Sequence, residues 1–203
     1  MGRYTGPAAK ISRNLGVNLT ETPKIDAVMK RRPYASGQHG QAHKKISEFA
    51  QQLKEKQRLK MRFGIREKQL RRYYEIANRS KGNTGTILLQ VLERRLDNVV
   101  FRAGLAETRR QARQMVAHGH FLLNGHRVTV PSILVKDGTV ISVRPNSVDF
   151  IVRTSESAQA YVSPAVWLTV SKETASVRFD RLPEREELDP NTREQLVVEY
   201  YSR

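Results

Sequence analysis

Residues 93–125, which read ERRLDNVVFRAGLAETRRQARQMVAHGHFLLNG, contain the changes of pattern that decide the fold. Apolar side chains recur at helical spacing over residues 88–100, which predicts one long core helix, with Gly104 ending it. Thr108 is a suitable N-cap residue for a second helix over residues 109–118. Two successive helices that each carry an apolar stripe are expected to pack on a shared core.

After the second helix the apolar period changes to two, which is typical of strands. Asn124-Gly125 separates residues 121–123 from residues 126–130, and this dipeptide between apolar runs predicts a β-hairpin. Further strands are predicted at residues 140–143, 150–152, 166–170 and 176–179.

The chain before this region predicts shorter helices that are separated by glycine and proline. They are expected at residues 8–14, 24–32, 48–63 and 66–79. The apolar segment at residues 196–201 is expected to dock onto another part of the chain.

These elements predict an α+β fold that is mostly α. We expect a basic helical N-terminal region over residues 1–92 and an α+β module with two helices, a hairpin and a small antiparallel sheet over residues 93–155. A C-terminal segment over residues 156–203 is expected to pack back on the helical region.

Charge is the strongest indication of function. The chain of 203 residues carries 36 Lys and Arg against 20 Asp and Glu, which gives a net charge of +16. Residues 1–80 carry +13 and residues 81–130 carry +5, whereas residues 131–203 carry −2. A chain this basic repels itself when compact, so we expect a polyanionic partner, and nucleic acid is the leading candidate. An anionic membrane surface is disfavoured because no helix pairs a basic face with a bulky aromatic face.

Other classes of function lack the residues that they need. The absence of Cys excludes a disulfide scaffold, a thiol nucleophile and a cysteine-bound metal. The sequence has no Gly-Lys-Ser/Thr or GxGxxG phosphate loop and no Ser/His/Asp arrangement. His118, His120 and His126 lack a carboxylate or thiolate to complete a metal site. We therefore expect no enzyme activity, no metal and no cofactor.

Several motifs resemble a known family. Residues 93–102 (ERRLDNVVFR), 104–114 (GLAETRRQARQ) and 119–125 (GHFLLNG) resemble the RNA-binding module that is named after small-subunit ribosomal protein four. The rest of the chain resembles the bacterial ribosomal protein family itself, through the matching segments 31–34 (RRPY), 37–41 (GQHGQ), 55–59 (EKQRL), 63–64 (FG), 67–69 (EKQ), 81–85 (KGNTG), 182–185 (LPER) and 196–203 (LVVEYYSR).

The resemblance implies a structural component of the small (30S) ribosomal subunit, on a cytoplasmic or organellar ribosome. It implies a primary binding protein for 16S rRNA at a junction in the 5′ domain, which nucleates assembly of the subunit body. It also implies contact with other small-subunit proteins, among them ribosomal protein five, with an influence on translational accuracy. Some relatives hold four zinc-binding cysteines, and because this chain has none, zinc is not implied.

We expect RNA contacts from the basic first two-thirds of the chain, mostly to phosphates, because stacking aromatics are few. Arg109, Arg110 and Arg113 are expected to face outward from their helix. The resemblance aligns His43, Lys44 and Lys45 with a basic stretch that lines the mRNA entry channel. The candidate RNA-binding residues are Arg3, Lys10, Arg13, Arg31, Arg32, His39, Lys56, Arg58, Arg62, Lys68, Arg71, Arg72, Lys81, Asn83, Arg95, Arg102, Arg109, Arg110, Arg113, His118, Asn124 and Arg127.

Two alternatives share the same module. A stand-alone RNA-binding factor would be shorter and would lack the loop at residues 37–41, and an RNA-modifying enzyme would need a further catalytic domain. Arg95-Leu96-Asp97 also occurs around the catalytic aspartate of pseudouridine synthases. Here the tripeptide lies within an apolar-striped helix, which favours a structural role for Asp97.

Overall fold

The structure is a computed structural model that describes residues 4–42, 45–160, 162–171 and 175–203. Three residues of the predicted sites, Arg3, His43 and Lys44, lie outside these ranges. The helices and strands of the described residues are, in chain order, α1 (Ala8–Leu15), α2 (Pro23–Arg31), α3 (Glu48–Arg62), α4 (Glu67–Arg79), α5 (Thr84–Glu93), α6 (Leu96–Arg102), α7 (Arg109–His118), β1 (Phe121–Leu123), β2 (His126–Val128), β3 (Val140–Val143), α8 (Val148–Gln159), β4 (Leu168–Ser171), β5 (Ser176–Phe179) and α9 (Glu194–Tyr201).

The chain forms two compact units, and their limits differ from the boundaries expected at residues 92 and 155. The first unit contains the chain up to Leu88 together with residues 189–203, and the second contains residues 89–188. Strands β4 and β5 belong to the same sheet as β3. Of the predicted C-terminal segment, only α9 and the residues just before it therefore join the N-terminal helices.

The first unit is built from helices. In it, α1 packs on α2 and α3, and α9 packs on α3 and α4. The Ser47 hydroxyl accepts a hydrogen bond from the Ala50 N–H at 3.3 Å, which caps α3 as expected. Leu59, Leu70 and Val197 are buried in its core. These residues come from α3, α4 and α9, so the terminal helix completes a core that the earlier helices begin.

The second unit is an α+β module around one antiparallel sheet with the order β2-β1-β3-β5-β4. The hairpin is confirmed: Phe121 pairs with Val128 across β1 and β2, and Asn124 and Gly125 both have positive φ, as a type I′ turn requires. Its buried cluster includes Phe121 of β1 and Phe101 of α6, which joins helix and sheet in one core. The predicted class, α+β and mostly α, is confirmed.

The single helix predicted over residues 88–100 is wrong, because α5 ends at Glu93 and α6 begins at Leu96. Arg95 between them is extended and forms an isolated bridge with Leu134. Its guanidinium is fully buried and donates to both carboxylate oxygens of Asp97, at 3.0 and 2.8 Å. At the break, the backbone N–H groups of Leu96 and Asp97 donate to the carbonyl oxygens of Ile133 and Pro131, at 2.9 and 3.2 Å, which replaces helical hydrogen bonds.

The strand predicted at residues 150–152 is also wrong, because these residues lie in α8. Ile151, Thr154 and Ala158 are buried at intervals of three and four residues, which is the spacing of one helix face. No helix in the described ranges has the length and apolarity that a membrane crossing needs.

Replacement of Arg95 with Ala should destabilise the second unit. The change removes the bidentate partner of the buried Asp97 carboxylate and leaves only the longer contact with Arg113, at 3.9 Å. Breaking comparable buried pairs costs about 3–5 kcal/mol. Arg72→Ala, at an exposed cation, is the control and should change the free energy of unfolding by less than about 0.5 kcal/mol. Urea denaturation followed by circular dichroism measures both, and equal stability of the two variants would contradict a structural role for Arg95.

Candidate nucleic-acid interface

Helix α7 is fixed at both ends by residues that the sequence predicts. The Thr108 hydroxyl accepts a hydrogen bond from the Gln111 N–H at 3.2 Å, and Gly119 ends the helix with φ +75°. Ala112 and Met115 are buried, so this side of the helix faces the core of the second unit.

The three arginines of α7 differ in their surroundings. Arg110 is exposed. Arg109 is half-buried: its Nε donates to Asn98 Oδ1 at 2.9 Å, and its guanidinium lies 4.3 Å from the centre of the Phe101 ring. Arg113 lies 3.9 Å from an Asp97 carboxylate oxygen. The expectation that all three face outward is therefore wrong for Arg109 and Arg113, which tie α7 to α6.

A buried carboxylate, Glu93, organises the cations of α6 and α7. Glu93 is 3% exposed and accepts hydrogen bonds from Arg102 at 3.0 and 2.8 Å, and from the Asn98 amide. Burial alone would raise the pKa of Glu93, but the charges of Arg102 and Arg109 and these hydrogen bonds hold that pKa below its ordinary value. Glu93 is therefore ionised at neutral pH, and it binds the Arg102 guanidinium and attracts the charge of Arg109.

The lowered pKa of Glu93 predicts a loss of stability in acid. A depressed carboxyl pKa stabilises the fold above the unfolded-state value of about 4.3, and this contribution falls as the pH drops through the folded-state value. Wild type should thus lose more free energy of unfolding between pH 7 and pH 3.5 than Glu93→Gln, in which the titrating group is absent. Denaturant titrations at the two pH values measure this, and an identical loss in both proteins would contradict it.

The hairpin holds a second cation beside the end of α7. The Asn124 side chain accepts a hydrogen bond from the Val140 N–H at 2.9 Å, which ties the turn to β3. Arg127 on β2 is exposed, and its guanidinium lies against Gly119: a Cβ atom there would stand 2.6 Å from Arg127 Nε. Gly119 therefore has two roles: it adopts the left-handed conformation that ends α7, and its lack of a side chain leaves room for Arg127.

In the first unit, α4 carries a stripe of exposed cations. Leu70, Tyr73, Tyr74 and Ala77 face the core, which places the basic residues on the opposite side. Arg71 makes only a 3.6 Å contact with Glu75. Among the residues that the structure describes, three exposed side chains of this helix have no ion pair: Lys68, Arg72 and Arg79.

The loop that follows α2 is held by α1. Arg13 donates to the carbonyl oxygens of Arg32, Tyr34 and Ala35 at 3.0 to 3.2 Å. Asn14 Oδ1 accepts from the Ser36 N–H at 2.7 Å. Arg13 therefore supports the loop, and the loop and its flanks expose other predicted contacts, namely Arg31, Arg32 and His39.

The predicted cations of α3 point into the first unit. Lys56 is 4% exposed, donates to Glu67 at 2.9 Å and lies 4.4 Å from the centre of the Tyr200 ring. Arg58 donates to the Leu15 carbonyl and to Glu55. Arg62 binds Glu21 and Asp189. The charges on this helix thus fasten α1 and the C-terminal segment to α3.

The structure sorts the predicted RNA contacts into three groups. Lys56 and Arg95 are corrected to structural residues, because their buried charges are already paired. The half-buried cations that also bind the protein are Arg13, Arg58, Arg62, Arg102, Arg109 and Arg113. The exposed residues are Lys10, Arg31, Arg32, His39, Lys45, Lys68, Arg71, Arg72, Lys81, Asn83, Arg110, His118, Asn124 and Arg127.

The candidate RNA contacts omit one member of the α4 stripe, although the helical pattern of residues 66–79 places Arg79 on the outward side. Arg79 is exposed and lies seven residues after Arg72, which is two helical turns along the same face. That spacing is the signal that could have found it. In the described ranges, no group of three or more His, Asp or Glu side chains is placed to hold a metal ion.

Rigid helices and a hairpin that present exposed cations, on a chain with a net charge of +16, define a nucleic-acid-binding protein. Comparison with known proteins agrees. Residues 3–93 match the "Ribosomal protein S4/S9 N-terminal domain" model, and residues 94–141 match the "S4 domain" model.

Relatives match along the full length of both chains. The chain is 46% identical to small ribosomal subunit protein uS4 of Gloeobacter violaceus and 49% identical to the uS4 proteins of Cutibacterium acnes and Mycolicibacterium smegmatis, with complete coverage in each case. The chain belongs to the uS4 family of small ribosomal subunit proteins.

The different surroundings of the α7 arginines predict different effects on stability. Arg109→Ala combined with Arg113→Ala should lower the free energy of unfolding by about 1.5–3 kcal/mol, because Asn98 loses a charge-assisted hydrogen bond. Arg110→Ala, on the same helix but exposed, should change it by less than about 0.5 kcal/mol. Thermal and denaturant unfolding of the purified proteins measures both. Wild-type stability in the double variant would show that these contacts do not support the fold.

Proposed function

We propose that this chain binds the 5′ domain of 16S rRNA at a helical junction and nucleates assembly of the body of the small subunit. Membership of the uS4 family gives it a structural role in the small ribosomal subunit. The observation that carries direct RNA binding is the stripe of exposed, unpaired cations on α4, described above. This stripe needs a polyanion, and rRNA is the polyanion that the family membership supplies.

Phosphates are the main target in this proposal. Exposed Lys and Arg side chains neutralise phosphates whatever the base, and they release the counterions that the RNA had condensed. The half-buried arginines make contacts within the chain and hold α1, α6 and α7 in place. The exposed cations are therefore presented on elements of fixed shape. Recognition of RNA shape is the expected result.

The proposed role involves no catalysis, because the RNA is held and is not chemically changed. The proposal also includes contact with other small-subunit proteins, among them ribosomal protein five, and through that contact an influence on translational accuracy. Family membership supports this part. Residues 131–203, with a net charge of −2, give the chain a less basic surface that suits contact with protein.

Binding to a 16S rRNA 5′-domain transcript should depend strongly on salt. If about 6–10 phosphates are neutralised, the affinity should fall by about 10³–10⁵-fold between 50 and 200 mM salt. Filter binding or fluorescence anisotropy over that range measures it, with an RNA of equal length and unrelated fold as the control. An affinity that does not change with salt would contradict the proposed electrostatic contact.

A second part of the proposal concerns mRNA. We infer from the family resemblance that His43, Lys44 and Lys45 line the mRNA entry channel. The structure describes only Lys45 of these three, as an exposed side chain. Cations that contact phosphates alone hold a strand of variable sequence without reading its bases.

Replacement of Lys44 and Lys45 with Ala should leave subunit assembly intact, because the rRNA contacts lie on other elements. Ribosomes with this variant should slow on an mRNA that has a hairpin ahead of the channel. Toeprinting on structured and unstructured mRNAs separates the two effects. Lys24→Ala combined with Lys30→Ala is the matched control, because it removes two exposed lysines that are not among the candidate RNA contacts. Normal speed on the structured mRNA, or failure to assemble, would rule out the channel role.

A further inference from the structure

The end of α7 and the start of α8 bring three rings together in the second unit. The ring centres of His118 and His120 are 6.1 Å apart, and those of His120 and Phe150 are 5.5 Å apart. Both spacings lie in the range in which aromatic rings attract one another. His118 is exposed and Phe150 is 50% exposed, so the row has an open ring at each end.

The middle ring of the row is held in place. The His120 Nδ1 atom lies 2.9 Å from the hydroxyl oxygen of Ser147, a buried residue. Burial, the neighbouring His118 and the charge of Arg144 lower the pKa of His120. The imidazole is therefore neutral at neutral pH, and it supports the row as an uncharged ring.

Cations surround this row. Arg127 lies against Gly119, the residue between the two histidines. Arg144 is close enough to affect the charge of His120, and Arg153 is exposed one helical turn after Phe150. Two acids of α8 are exposed, Asp149 beside Phe150 and Glu156 further along the helix, so Arg127, Arg144 and Arg153 outnumber the acids here.

Half-exposed aromatic rings among cations match the chemistry of an unpaired nucleobase. Such bases stack on aromatic and guanidinium planes, and their flanking phosphates attract cations. An apolar protein partner would cover the rings but would leave the arginines without counter-charges. We propose that His118, His120 and Phe150 form a stacking site for an unpaired base of the bound RNA, with Arg127 and Arg153 beside the flanking phosphates. This inference rests on the proposed RNA binding and adds a contact to it.

Phe150→Leu tests the site, because it keeps apolar volume and removes the ring. Its affinity for the 16S rRNA 5′-domain transcript should fall by about 5- to 150-fold, which is the range for loss of one stacked base. The slope of affinity against salt should stay that of wild type, because no charge is removed. Phe150→Tyr keeps the ring and should bind as wild type does. Phe49→Leu is the matched control, because Phe49 is a similarly exposed phenylalanine (49%) of the other unit.

A second probe separates stacking from the rest of the rRNA contact. Oligoadenylate of about ten nucleotides with one 2-aminopurine should lose fluorescence when it stacks on the wild-type protein, and lose less with Phe150→Leu. Failure of the wild-type protein to bind the transcript would overturn the proposed function, whereas the oligonucleotide result still decides the stacking site. If Phe150→Leu behaves as wild type with both probes, the inference is overturned. The same result is expected if Phe150 contacts a protein and no base.

Discussion

In a chain with a net charge of +16, cations repel one another unless they lie apart or are paired with carboxylates. The rest of the structure depends on the few carboxylates that pair with buried or half-buried cations. Asp97 forms an ion pair with the buried Arg95, and Glu93 forms one with Arg102. In the first unit, Glu67 forms an ion pair with Lys56. The buried charges of Arg95, Glu93 and Lys56 are thereby paired, which a low-dielectric interior requires. In the described part of the chain, exposed cations without an ion pair, such as Lys68, Arg72 and Arg79, are available for a polyanion.

This sorting links stability with RNA binding in a defined way. Arg109 does not simply add to the positive surface, because it joins α7 to Asn98 and covers the ring of Phe101. In the proposed RNA contact, Arg109 therefore acts by holding α7 in position. Exposed cations such as Arg72 and Arg110 have the opposite character, since they add little to the fold and most to the surface potential.

Local signals allowed much of the fold to be predicted from the sequence. The caps at Ser47 and Thr108 and the Asn124-Gly125 turn depend on residues close in the chain, and all three were predicted. The break at Arg95 was missed because it depends on a bridge to Leu134, far along the chain. For a similar reason the partner of Arg62, Asp189, could not be inferred from spacing. Tertiary structure decides which arginines make ion pairs or hydrogen bonds within the chain. Composition alone therefore overestimates the number of cations that are free to bind RNA.

In the proposed function, the exposed cations, and above all those of α4, make the electrostatic contact with rRNA. The most direct test is the slope of log affinity against log salt for the 5′-domain transcript, compared between wild type and the triple variant Lys68→Gln, Arg72→Gln, Arg79→Gln. Each phosphate contact contributes about 0.7–0.9 to that slope, so the slope of the triple variant should be shallower by about 2–3. An unchanged slope in a variant that remains folded would contradict it.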